Sequence, residues 1–377
     1  MNPITRTTVW LLVCAVWFET TGCSEPPRSG LSVSARDFET ADAMFHAEPR
    51  WLGGDGALSV PLDAQRTLWM FGDSFVATSP ANVRGESKMI RNTVAIQDGL
   101  NPHGASVRFH WNLDPDGSPA PIFADEGDRW FWPGHGVRLD EGPLLLFLMA
   151  VRGTPDEGLG FTEAGYRVVL VDDPEAPVEQ WSLETFDPPS PSVDPNATLG
   201  LAVLREGPWV YAYANARGAE HVGWLARLAV EDVMARRIAP AWWTGEDWAT
   251  VEVLGDRPPA VVIDDIGAEC SVHFEPRTNA YLHVASRGFG ATTIAVRTAP
   301  ALTGPFTAAQ QVFTPAESLE PEPFVYAAKA HPQLVTDDPQ ELLITYATNT
   351  FDFWALFSEP GLTRYWPRFV RLRLERR

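Results

Sequence analysis

The sequence predicts an all-β fold, a five-bladed β-propeller in which each blade is a mostly four-stranded antiparallel sheet, and three observations carry that expectation. From Leu58 onward the apolar residues come in short runs separated by Gly, Pro, Asp and Asn, with little sustained helical periodicity. The 33 prolines and 29 glycines among 377 residues interrupt long helices at short intervals. Taken in order, the runs form about five sets of three or four, each over roughly 65 residues, which suits blades with long connections and exceeds what a two-sheet sandwich needs.

The first 23 residues read as a lipoprotein signal peptide. Arg6 precedes an apolar run from Val9 to Phe18, too short to span a bilayer, and Thr20-Thr21-Gly22 then leads to Cys23 in the manner of a lipobox. Lipidation of Cys23 would hold the chain to a membrane and make it an exported bacterial lipoprotein of the cell envelope; ordinary signal cleavage, or none, is the alternative. Residues 24–40, polar and proline-rich at their start, read as a tether, and 41–377 as the propeller domain. With Cys14 in the signal and Cys23 lipidated, Cys270 has no partner, which excludes a disulfide framework in the mature monomer.

Strands are expected at 68–71, 93–97, 144–149, 166–171, 199–204, 210–213, 222–228, 260–263, 271–274, 281–285, 292–297, 342–346 and 369–374. One short helix is expected at 230–236. The proline-rich stretch 187–195 reads as a loop between blades. Apolar residues make up 45% of the chain, enough to fill a sizeable core, and the net charge of −20 repels nucleic acid while leaving neutral or cationic ligands.

Four stretches contain the residue types of a carbohydrate site. Asp55 in Gly53-Gly54-Asp55-Gly56 and Asp73 in Phe71-Gly72-Asp73-Ser74 flank one expected hairpin. Two carboxyl groups brought together there are what glycoside hydrolysis requires, one to protonate the leaving oxygen and one to attack or to activate water; Gly-Asp pairs also serve simply as turns. Trp130-Phe131-Trp132 ahead of an expected tight turn at 133–136 that carries His135 offers ring faces on which sugars stack, or else a packed blade edge. Glu269 stands at the start of a strand of strict alternation, where it could act as a general acid or be a solvated loop residue. His331, Asn349 and Arg368 complete the set of polar groups able to meet hydroxyls or a carboxylate, with a structural role for His331 the competing reading. No zinc-type Cys/His spacing, P-loop, dinucleotide fingerprint or nucleophile elbow occurs.

These motifs, together with Arg91-Asn92-Thr93-Val94, Arg297-Thr298-Ala299, Gly304-Pro305-Phe306, Ala330-His331-Pro332 and Pro367-Arg368-Phe369, in this order from about Trp51 to Leu374, resemble the bacterial domain-of-unknown-function 4185 family (DUF4185). The resemblance implies a five-bladed propeller related to arabinanases and other furanosidases, some members being endo-D-arabinanases. It implies catalytic roles for Asp55, Asp73 and Glu269 and, together with His331, suggests a calcium ion near the propeller axis, with no cofactor required; Asn92, Trp132, His135, His331, Asn349 and Arg368 are the expected substrate contacts. His135 stands where an aspartate is commoner, and Ser74 where a threonine is. The expected partner is a polysaccharide or oligosaccharide. A carbohydrate-binding or scaffold propeller without catalysis is the alternative, since fold does not settle function.

Overall fold

The computed structural model describes residues 31–376 except 141, 155–158 and 217–220. The signal segment, Cys23 and the first part of the expected tether lie outside the described residues.

The described chain is all-β, with helices of at most five residues. Five antiparallel sheets follow one another along the sequence. The first comprises Leu58–Pro61, Arg66–Phe71, Thr93–Asp98 and Ser106–His110. The second comprises Arg129–Arg138, Leu144–Gly153, Phe161–Val171 and Leu183–Phe186. Thr198–Glu206, Trp209–Asn215, Gly223–Ala229, Ala241–Trp243 and Trp248–Ala249 make the third. Cys270–Glu275, Ala280–Phe289, Ala291–Ala299 and Gln310–Phe313 make the fourth. The fifth takes Phe324–Ala330, Glu341–Asn349 and Arg368–Arg376 from the last part of the described residues and Leu31–Asp37 from their first. A three-stranded sheet of Trp51–Gly54, Ser74–Ala77 and Ser87–Ile90 and a two-stranded one, Asn112–Leu113 with Pro119–Ala120, accompany them.

The apolar core lies between sheets. Met70 and Val94 of the first sheet cluster with Phe131 and Leu146 of the second, and Phe147 of the second with Val203 and Trp224 of the third. Tyr213 of the third packs with Val272 and Ala285 of the fourth, and Val284 and Ile294 of the fourth with Ile344 and Val370 of the fifth. Trp69 and Phe71 of the first sheet pack in turn with Leu343 and Phe369 of the fifth. Each sheet therefore buries both faces, which is why the middle strands read as continuous apolar runs such as Leu144 to Leu148. Gly200 permits one of the closest approaches: a Cβ there would fall 2.1 Å from Phe147 Cβ, at a φ of +104°.

Three expectations need correction. Leu31–Asp37 is a strand in register with Val370–Arg376, not a tether. The last strand would otherwise leave an unpaired edge, and Val33 and Ala35 place apolar side chains against the fifth-sheet core. Residues 260–263 form a single bridge from Ile263 to Gly223 instead of a strand, because Pro258 and Pro259 just before them have no N–H to donate. The stretch 133–136 is no tight turn but an irregularity within Arg129–Arg138, which re-aims His135. The expected helix at 230–236 is Val230–Met234.

Candidate active site

Asp55 lies in the turn that leads into Leu58–Pro61, and Asp73 follows Arg66–Phe71, whose Met70 pairs with Leu58. The hairpin therefore brings both aspartates to one end, where Gly72 N donates to Asp55 O at 3.0 Å. Asp55 Oδ2 accepts from Tyr326 Oη at 2.6 Å and from Tyr365 Oη at 3.4 Å. Its Oδ1 lies against Gly72: a Cβ on that glycine would sit 2.4 Å from the oxygen.

Asp73 Oδ1 accepts from Trp132 Nε1 at 2.8 Å, and Arg91 approaches Asp73 Oδ2 at 3.3 Å. The Arg91 guanidinium in turn lies 4.3 Å from the centre of the Trp130 ring. Glu269, immediately before Cys270–Glu275, pairs with Lys329 Nζ at 3.2 Å. Lys329 is almost wholly buried, and its ammonium also donates to Gly56 O and Ala327 O, so a cation is fixed between the first, fourth and fifth sheets.

Electrostatics separates the carboxyl groups. Burial raises Asp55 to about 8, reinforced by the negative charges of Asp73 and Glu269 and opposed by Tyr326 and Lys329. Burial raises Asp73 as well, but Arg91 and Trp132 favour its anion. Asp55, at about 8, therefore keeps its proton at neutral pH. The Tyr326 and Tyr365 phenols, pushed far up by burial and by Asp55, remain donors.

A cleft of about 330 Å³ opens over Asp73 and Tyr365. Trp130, Trp132 and Phe161 line one part of it, and Phe324, Asn349 and Phe353 another. Asn349 Nδ2 donates to Tyr326 Oη at 3.3 Å. Asp55, Asp73, Glu269, Trp132 and Asn349 are thus brought to one neighbourhood.

The other expected substrate contacts are turned to structural use. Asn92 is fully buried; its Nδ2 donates to Phe123 O and Phe131 O, and its Oδ1 accepts from Phe123 N, so it joins the first sheet to the second. His135 accepts from Val203 N at Nδ1 and lies 3.0 Å from Ser59 O through Nε2, tying three sheets together. Burial lowers it to about 4 and leaves it neutral. His331 spends its ring nitrogens on Ser59 Oγ and Thr345 Oγ1, and burial holds it well below the usual histidine range. Arg368 is engaged by Asp42, Glu317 and Thr363 O.

These histidines also bear on calcium. The ion takes six to eight oxygen ligands, whereas the interior between the sheets presents imidazole nitrogens already committed to protein groups. Among the described residues, no group of three or more His, Cys, Asp or Glu side chains could hold a metal ion.

Arg91, Tyr326, Lys329 and Tyr365 were not singled out from the sequence as site residues. Arg91 neighbours the expected Asn92, and in a strand or its extension adjacent residues face opposite ways. Tyr326 and Lys329 flank an irregularity in the fifth sheet around Ala327, whose φ is +60°, and such a bulge breaks the alternation that sequence reading relies on.

A Bacteroides ovatus protein provisionally named a hydrolase shares the fold: TM-score 0.70 at 18% identity, with 92% of each chain covered. A xylan β-1,4-xylosidase of Bacillus halodurans overlaps at TM-score 0.48 and 11% identity, over 86% of this chain and 53% of that one. The GH43_1 enzyme of Xanthomonas citri, solved with xylotriose, overlaps at 0.47 and 14%, over 89% and 92%. No curated protein matches the chain. Gly-Asp turns and aromatic strand ends recur wherever strand ends frame a cleft, so the motifs that resemble DUF4185 do not separate one such family from another. The family described as domain of unknown function DUF5005 matches residues 39–374, and the chain belongs to that family, not to DUF4185.

Proposed function

We propose that the five sheets are the blades of a five-bladed β-propeller and that the chain is an exported glycoside hydrolase acting on a neutral polysaccharide. An arabinan or another furanoside is the first substrate to test. The observation that carries the reading is the Asp55 carboxyl group, raised to about 8 and hydrogen-bonded to Tyr365, which together with Asp73 lines a tryptophan-walled cleft. Acid and base assignments follow from titratable groups whose surroundings push them apart. Asp55 gives its proton to the glycosidic oxygen, Asp73 attacks the sugar or activates water, and the Glu269 carboxylate, positioned by Lys329, helps to hold the Asp55 proton. Trp132 orients Asp73 through Nε1 and offers its ring to a sugar face. The N-terminal segment, with lipid on Cys23, would place this activity outside the cytoplasm.

The test is release of oligosaccharides from D-arabinan, L-arabinan or fructan by the mature protein. Asp55→Asn and Asp73→Asn should each lower the rate by about 10²- to 10⁴-fold. Binding without turnover, unaffected by Asp73→Asn and weakened by Trp132→Ala, would instead assign a glycan-binding propeller without catalysis.

A further inference from the structure

We infer that the cleft continues into an outer aromatic subsite, formed by Phe324, Phe351 and Phe289, that holds further residues of a neutral polysaccharide chain. The ligand is then a polymer and not a single disaccharide. The inference rests on the glycan reading of the cleft and extends it to residues that reading does not use.

A file of rings leads outward from the acid. Tyr326, hydrogen-bonded to Asp55, has its ring centre 4.9 Å from that of Phe324. Phe324 lines the cleft and lies parallel to Phe351, with centres 4.4 Å apart and planes 3° from each other. Phe351 faces a second hollow of about 610 Å³, where Phe289 stands 5.7 Å from it. The cleft and the hollow meet along the short segment from Asn349 to Asp352 and along Pro323-Phe324.

Phe289 and Phe351 are 73% and 49% exposed, and water gains nothing from such surface. They are nevertheless held in place. Phe289 ends the strand Ala280–Phe289 at a hairpin whose Gly290, at a φ of +74°, brings the tip onto the fifth sheet. A Cβ on Gly290 would lie 3.0 Å from Pro323 O and 3.6 Å from Phe351 Cε2. Val325 N donates to Gly290 O at 2.9 Å, and Ser318 Oγ bridges Thr292 N and Thr292 O at 3.1 and 2.8 Å. A fixed aromatic surface edged by the Glu322 and Asp352 carboxylates suits the apolar faces of sugars and their hydroxyls.

Charge narrows the ligand. Glu322 and Asp352 line the hollow, and no Lys or Arg does. Their carboxylates accept hydrogen bonds from hydroxyls and repel a phosphate, a sulfated glycan or an anionic membrane.

The experiment uses the full mature chain with Asp55→Asn in every protein, so that binding is read without cleavage. Linear arabino-oligosaccharides of increasing length are titrated calorimetrically into this protein and into versions that also have Phe289→Ala or Phe351→Ala. Both substitutions should weaken the longest oligomers by about tenfold and leave the disaccharide unchanged. Phe351→Trp should restore the affinity, and Trp354→Ala, exposed but outside the hollow, should have no effect. Unchanged melting temperatures show that the variants fold. Equal affinities for long oligomers with and without Phe289 and Phe351, while the protein with Asp55 intact still cleaves the polymer, would overturn the subsite alone. No binding of any oligomer together with no cleavage would overturn the glycan reading and the subsite together. Loss of binding to phosphatidylcholine vesicles in the Phe variants, with oligosaccharide affinity intact, would make the surface a membrane contact and also overturn the inference.

Discussion

Tyr326 of the fifth sheet donates its phenol to Asp55, in the turn that leads into the first, at 2.6 Å, so residues far apart in the chain jointly set the state of one carboxyl group. The donor favours the anion, while burial and the charges of Asp73 and Glu269 favour the acid and prevail, leaving Asp55 at about 8. If Asp55 is the proton donor, kcat/KM should fall as pH rises through about 8. Tyr326→Phe removes a group that lowers this value, so the alkaline limb should move to higher pH. A limb that stays in place or moves toward acid would refute the assignment.

The same shift predicts a pH-dependent stability. The unfolded chain releases the Asp55 proton near 4, whereas the folded protein keeps it to about 8. Asp55 therefore stabilises the fold at low pH, and that contribution is lost as pH rises through the folded value. Asp55→Asn cannot ionise, so its stability relative to the natural protein should improve by about 2–3 kcal/mol between pH 4 and 9. This is less than the full shift would give, because Asp55 as a residue is partly exposed and solvent screens its charge. Urea unfolding at the two pH values measures it, and a constant difference would count against the shift.

Gly72→Ala tests the close approach of Asp55. The added Cβ would meet Asp55 Oδ1 at 2.4 Å and Trp132 Cδ1 at 3.8 Å. The carboxyl group must then swing away while the hairpin remains. The expected result is a loss of about 10²-fold in kcat with a near-native melting temperature. Full activity in the alanine variant would place the reacting oxygen elsewhere.

Arg84 holds one side of the cleft. Its guanidinium donates to Leu52 O, Leu356 O, Gly361 O and Arg364 O at 2.6–3.1 Å, although burial lowers it to about 10. Arg84→Met would strand these carbonyls at a cost of about 3–5 kcal/mol. Arg84→Lys should not rescue it, because an ammonium lacks the planar fork that reaches several acceptors at once. Thermal melting decides the matter, and a stable Lys variant would contradict the role given to the fork.

A chain starting at residue 41 should be less stable than one starting at residue 31. It loses the strand Leu31–Asp37, the burial of Phe38, and the cover on Arg368–Arg376. The melting temperature should drop by about 5–10 °C, and the freed edge should promote self-association. Equal melting of the two chains would mean that the pairing contributes little.

Much of the fold could be read in the residue pattern. The middle strands of each sheet, such as Leu144–Gly153 and Phe161–Val171, are apolar on both faces because each lies between two neighbouring sheets, so their composition alone marks them. The outer strands Ser106–His110 and Leu183–Phe186 are short and partly exposed, with polar residues among the apolar ones, and resemble loops in sequence. The hairpin carrying Asp55 and Asp73 was legible for the same reason as the middle strands: two apolar runs separated by a short polar turn must pair, and pairing brings their outer ends together.

What the sequence determined by itself, then, is local: an all-β chain, its buried strands, and two aspartates at one hairpin end. The tertiary structure alone decided which polar groups meet those aspartates, because Trp132, Glu269, Tyr326 and Lys329 reach them from other sheets across long chain separations. It also gave polar atoms of Asn92, His135 and His331 backbone and hydroxyl partners. The physical reason is that strand alternation fixes where a side chain points relative to its own strand, whereas the partner it finds depends on how whole sheets pack, and a single bulge such as that at Ala327 re-aims every residue around it.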